Sequence, residues 1–112
     1  MNAVGECVRS IVALLVAGDW LGLERFTSGR HLSAGEIESA VRGYGRTLTA
    51  LPEDALASLD VVEVEGCVAR TVSVRVPLWT LEEGRSDLEV DLTLREVMRG
   101  VLSVEVDDLH VA

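Results

Sequence analysis

The stretch Arg70-Thr71-Val72-Ser73-Val74-Arg75-Val76-Pro77-Leu78-Trp79 decides the fold, together with Asp87-Leu88-Glu89-Val90-Asp91-Leu92-Thr93-Leu94. Aliphatic side chains hold the even positions from Val72 onward, and mostly polar or charged ones hold the odd positions. A third run, Leu102-Ser103-Val104-Glu105-Val106-Asp107, keeps the same alternation. A period of two puts successive side chains on opposite faces of a strand, so each run reads as a strand buried on one side and wet on the other. The buried side offers no carboxylate, imidazole, hydroxyl or thiol. Arg70 is the one charged even residue ahead of it, at a strand start where it is expected to emerge at the rim.

Working outward, four strands are expected: residues 59–64, 68–79, 86–96 and 101–111. Glu65-Gly66, the segment Leu81 to Gly84, and Gly100 supply the turns, with glycine able to adopt positive φ. The phase of the last strand changes after Val106. Asp107 and Asp108 are both polar, and Leu109 and Val111 then carry the apolar series, which one extra residue at a β-bulge explains.

The first half of the chain reads as helix. Val4, Val8, Ile11, Val12 and Leu15 recur at helical spacing, and Gly18 fits a C-terminal glycine. Asp19 can cap a short helix from Trp20 to about Phe26. Thr27-Ser28-Gly29 is a break. Ser33 and Glu36 form a capping-box pair that predicts a third helix from Ala34, with Ile37, Ala40, Val41, Tyr44 and Leu48 on its buried side. Pro52 starts one further short helical turn through Ala57.

Helices followed by a strand meander define an α+β domain: three N-terminal helices packed on one face of a curved four-stranded antiparallel sheet. The order of helix, Gly18-Asp19, short helix, third helix and long strands resembles the cone-shaped, cystatin-like class that includes SnoaL-like and ketosteroid-isomerase-like domains. That resemblance implies a cavity between helices and sheet. Shorter motifs carry a second one. Val76-Pro77-Leu78-Trp79-Thr80, then Glu82-Glu83-Gly84-Arg85-Ser86-Asp87-Leu88, Tyr44-Gly45-Arg46-Thr47-Leu48 and the ending Asp107-Asp108-Leu109-His110-Val111 resemble an uncharacterised family of small bacterial domains. This second resemblance spans the chain and implies no catalytic residue.

The 112 residues are enough for one domain with one core. Hydrophobic residues make up 48% and aromatics 4%, so that core is built of Val, Leu, Ile and Ala. Ten basic residues against nineteen acidic ones give a formal net charge of −9. Nucleic acid and anionic membranes both need Lys and Arg to displace counterions, so neither is an expected partner. A basic protein partner fits the balance, as does simple solubility. Cys7 and Cys67 suit a reducing cytoplasm rather than a disulfide framework. No spacing resembles a zinc site, no cofactor is implied, and Ile11 to Ala17 is too short to span a bilayer.

Candidate site residues divide into three groups. Asp60, Asp19 and Glu24 could supply a catalytic acid, although each also fits a strand-end or capping role. His31 lies in a loop and His110 near the terminus. With no acid or base placed on the aliphatic face, a non-catalytic domain is expected. The polar face and the hairpin tip form the second group: Arg75, Trp79, Glu82, Glu83, Arg85, Asp87, Glu89, Asp91, Glu105 and Asp107. If the first of the two long hairpins is centred on Glu83, Arg75 lies opposite Asp91 and Trp79 opposite Asp87. If the last is centred on Met98, Glu105 lies opposite Asp91 and Asp107 opposite Glu89. Like charges facing across a sheet repel, which suits a face kept for a cationic partner. Such a face also opposes sheet-to-sheet dimerisation, so a monomer or weak homodimer is expected. The third group is Trp20, Phe26 and Tyr44, expected at the mouth of an aliphatic pocket. The leading reading is a protein-interaction module, with immunity-type proteins as the model for its role; the alternative is a domain that binds a small apolar ligand.

Overall fold

A computed structural model describes residues 3–27 and 32–112. His31 and the Ser28-Gly29 break lie outside the described residues. Four helices, α1 (Ala3–Ala17), α2 (Trp20–Thr27), α3 (Ala34–Tyr44) and α4 (Glu53–Ala57), accompany five strands: β1 (Leu48–Thr49), β2 (Asp60–Val64), β3 (Thr71–Thr80), β4 (Gly84–Met98) and β5 (Val101–Val111). The α+β class and the antiparallel meander are as the alternation predicts. The sheet has five strands rather than four. The added one is β1, formed by Leu48 and Thr49, which pair with Thr80 and Trp79. The third helix is correspondingly shorter than expected. It stops at Tyr44 because Gly45 adopts a left-handed conformation, φ 75°, and Leu48 is strand rather than helix. β1 and β2 both pair with the same flank of β3, at opposite ends, and β4 and β5 follow on its other side.

The helix boundaries come from local chemistry. α1 ends in a Schellman turn at Gly18: the Gly18 N–H donates to Leu15 O at 3.1 Å and the Asp19 N–H to Leu14 O at 3.0 Å. Asp19 then caps α2, its Oδ1 accepting the Gly22 N–H at 2.9 Å. A Cβ at Gly22 would stand 2.5 Å from Asp19 Oδ2, so a larger residue there displaces the capping carboxylate. Ser33 and Glu36 form the expected capping box, with Ser33 N–H donating to Glu36 Oε1 at 2.9 Å and Glu36 N–H to Ser33 Oγ at 3.3 Å. The Ser33 N–H, and then the Ser33 hydroxyl, hold the Glu36 carboxyl below the usual glutamate range. Glu24 joins α2 to α3 by accepting the Ala34 N–H at 3.0 Å. Arg9 on α1 holds α4 through a two-bond contact with Glu53, 2.7 and 3.1 Å.

The core lies between the helices and the even-numbered sheet face. Val8, Ile11, Val12 and Leu15 of α1, Leu23 of α2 and Ile37 of α3 meet Val72, Val74, Val76, Leu78, Leu88, Val90, Leu92, Leu94, Val104, Val106 and Leu109. The second strand starts at Thr71 and not at Val68, which is fully exposed. Leu92 is enclosed by the central strands, and Leu92→Ala is expected to cost about 2–5 kcal/mol in urea unfolding, since the site cannot collapse around the cavity. Asp19→Ala is expected to cost about 1 kcal/mol. Gly22→Ala, worth about 1 kcal/mol of helix propensity at an open site, is expected to bring no gain. A stabilised Gly22→Ala variant contradicts the capping geometry.

Candidate functional site

The odd-numbered face of the sheet is the candidate site. Its register sets which side chains meet. Between β3 and β4, Arg75 faces Asp91 and Pro77 faces Glu89, as centring on Glu83 predicts. The pairing then shifts, so that Trp79 faces Arg85 and not Asp87. Ser86 explains the shift. Its buried hydroxyl donates to Leu78 O at 2.8 Å and accepts the Leu88 N–H at 3.2 Å, taking the place of ladder bonds lost at the irregularity.

The last hairpin departs further from expectation. Met98 faces Val101, so the turn is Arg99-Gly100 with Gly100 at φ 78°, and the strands slide by two residues relative to a hairpin centred on Met98. Glu105 therefore faces Thr93 and not Asp91. The predicted bulge is present: Val106 faces Leu92, and Asp108 faces Asp91, leaving Asp107 as the extra residue. Asp107 does not face Glu89; His110 does. The four side chains Glu89, Asp91, Asp108 and His110 thus form a two-by-two block on the open face. Simple alternation from Val106 does not bring Asp108 and His110 to this face; the bulge does. The signal available for them was the bulge itself, which sets the phase of everything after it.

Within the block, Arg75 lies 3.4 Å from Asp91 and 3.7 Å from Glu89. His110 Nδ1 is 3.1 Å from Asp108 Oδ2 and 3.9 Å from Asp91 Oδ2, and Nε2 is 3.6 Å from Glu89 Oε1. Nδ1 is shut off from solvent and has no hydrogen-bond partner, since the 3.1 Å approach to Asp108 lacks hydrogen-bond alignment. Asp91, Asp108 and His110 each turn one donor atom into a space less than 4.8 Å across, the arrangement that could hold a metal ion. Beside it, Asp60, Val62, Ser73, Arg75, Asp91 and Asp107 line an open depression of about 250 Å³. Glu105 is buried and takes the Arg95 guanidinium at 3.0 Å, while Asp107 accepts the Thr93 hydroxyl at 2.5 Å.

The hairpin tip has a different character. Glu82 accepts the Thr47 N–H at 2.9 Å and its hydroxyl at 3.0 Å. Glu83 accepts the Tyr44 hydroxyl at 2.9 Å and the Thr80 hydroxyl at 3.1 Å. With the Leu81 N–H donating to Thr47 O at 2.9 Å, these bonds fasten the tip to the segment between α3 and β1. Trp79 is half-buried beside them and Arg85 is exposed. The residues expected around one pocket mouth are spread out. Tyr44 is at the tip, Trp20 packs on the core, and Phe26 lines a shallow cleft with Cys7 and Gly100. A cleft of about 350 Å³ lies elsewhere: Ala3, Val4, Val72, Leu94 and Leu102 line it, with Arg70 and Glu96 at its edge. Of the acid candidates, Asp19 and Glu24 are engaged by helix N-termini, and Asp60 faces Arg75 on the open sheet. Burial, and then Glu6, push the Cys7 thiol up, which leaves it a poor nucleophile.

These features define an α+β domain with one covered and one open sheet face. Residues 12–112 match the family described as Domain of unknown function (DUF7668), and the chain belongs to that family. No curated protein and no solved structure matches it. No helix among the described residues is long and apolar enough to cross a membrane.

The backbone bond from Thr47 is the main cause that holds the Glu82 carboxyl below its ordinary range. A carboxyl lowered on folding contributes stability that is fully present above the unfolded value, about 4.3, and is lost as pH falls through the folded one. The stability gap between wild type and Glu82→Gln is therefore expected to be widest near neutral pH and to close below about pH 4. A gap that does not change with pH contradicts the tethering role.

Proposed function

We propose that this domain is a non-catalytic interaction module whose open sheet face docks a basic protein partner. The observation that carries this reading is the one-sided cover. The helices take the even face, and Asp87, Glu89, Asp91 and Asp108 remain on the other with Arg75 as the near counter-charge. Carboxylates fixed on a rigid sheet suit guanidinium and ammonium groups, which add charge-assisted hydrogen bonds and steer encounter. The chain's −9 charge extends that attraction beyond contact range. Trp79 and Arg85, at the end of the same face, are residue types enriched where binding energy concentrates. Neutralising a basic partner is the task of an immunity-type protein, and a reducing cytoplasm suits the two free thiols.

The test is capture of partners from the source organism at low and high salt, followed by hydrogen exchange on the purified complex. The expected result is a basic protein released by salt, with new protection on β4 and β5, and affinity lowered about tenfold or more by Asp87→Lys with Asp108→Lys. Both positions are exposed, so the variant keeps the fold. A partner whose affinity is indifferent to that double reversal contradicts the proposal.

The cleft beside Val4 and Leu102 supports a second reading, an apolar-ligand site, its volume lying at the small end of ligand pockets. That reading requires a melting shift with a hydrophobic ligand panel that Leu102→Trp abolishes.

A further inference from the structure

We propose that Asp91, Asp108 and His110 form a site for one first-row divalent metal ion, zinc being the probe of choice. One buried nitrogen atom in this block lacks a hydrogen-bond partner. His110 Nδ1 is sealed from solvent, makes no hydrogen bond, and faces Asp108 Oδ2 at 3.1 Å and Asp91 Oδ2 at 3.9 Å. A nitrogen donor and two carboxylate oxygens thus converge on one space, and a cation placed among them would engage all three. A buried nitrogen without a partner is unfavourable, so the site favours a ligand there.

Two further observations point the same way. Asp91 and Asp108 are direct cross-strand partners, a like-charge pairing that Arg75, 3.4 Å from Asp91 Oδ1, offsets from the β3 side. The Asp107 bulge creates that pairing by shifting the phase of β5, and bulges re-aim side chains in this manner next to functional sites. On the other edge of the ring, Nε2 lies 3.6 Å from Glu89 Oε1. A histidine that ligates through one nitrogen commonly offers its other N–H to a carboxylate, which fixes the tautomer and the ring plane. Glu89 is placed for that positioning role.

The spacing suits the chemistry. An ion about 2.0–2.2 Å from nitrogen and oxygen donors holds them about 3–3.4 Å apart. The 3.1 Å contact meets this directly, and the three donors, all within 4.8 Å, reach it by side-chain rotation. One imidazole with two carboxylates favours zinc and its first-row neighbours over calcium and magnesium, which take oxygen ligands. Asp108 is exposed, so water completes the coordination sphere. The site does not depend on the docking proposal, which uses charge on the same face but no metal.

The test is calorimetric titration of the full chain with zinc chloride at neutral pH in a non-chelating buffer, with nitrogen chemical shifts of the His110 ring read in parallel. One ion per chain is expected, with the Nδ1 resonance moving and the Nε2 resonance moving far less. His110→Ala is expected to abolish that binding event, Asp108→Asn to weaken it, and Glu89→Gln to weaken it about tenfold. Cys67→Ser is expected to leave it unchanged. Magnesium chloride at equal concentration should give no ring shift. Absence of binding, equal binding by His110→Ala, or loss of binding in Cys67→Ser overturns the assignment. Basic-partner binding that persists when zinc binding fails overturns the metal site alone.

Discussion

Burial of the even-numbered aliphatic side chains of β3, β4 and β5 against α1 is the constraint on which the rest of the molecule depends. Val74, Val76, Leu92 and Leu94 are sealed between helix and sheet. Once that face is covered, the odd face has nothing apolar enough to attract a second layer, and it stays open. The same constraint acts on the end of β5. Leu109 has to reach the core, yet simple alternation from Val106 would send it outward. The extra residue, Asp107, resolves the conflict and in doing so brings Asp108 opposite Asp91 and His110 opposite Glu89. The composition of the open face is therefore a by-product of how the last strand completes the core.

Several elements could be read from residues alone because their signals are local. The Schellman glycine at Gly18, the Asp19 cap, the Ser33–Glu36 box and the bulge after Val106 each depend on a few neighbouring positions. The register of the last hairpin could not be read in this way. A period-two pattern is satisfied equally by any slide of two residues, because each slide returns the aliphatic series to the core face. The turn decides between the alternatives. Gly100 at positive φ closes a two-residue turn with Arg99, which moves Glu105 from opposite Asp91 to opposite Thr93, where Arg95 reaches it.

Non-local side-chain contacts were the other hidden layer. Glu82 and Glu83 read as free charges at an exposed tip, yet Thr47 and Tyr44, more than thirty residues earlier, engage them. His110 reads as a terminal histidine, yet strand pairing sets it among three carboxylates. Both cases arise where strands distant in sequence become neighbours in space.

The register of β5 beyond the bulge sets the composition of the open face. Cross-strand nuclear Overhauser contacts on isotope-labelled protein measure it directly. The structure predicts contacts between the backbones of Asp91 and Asp108 and of Glu89 and His110, with Leu92 still paired to Val106. Contacts pairing Asp91 with Asp107 and Glu89 with Leu109 instead would mean a strand without the bulge. Leu109 would then leave the core, and the block of Glu89, Asp91, Asp108 and His110 would not exist.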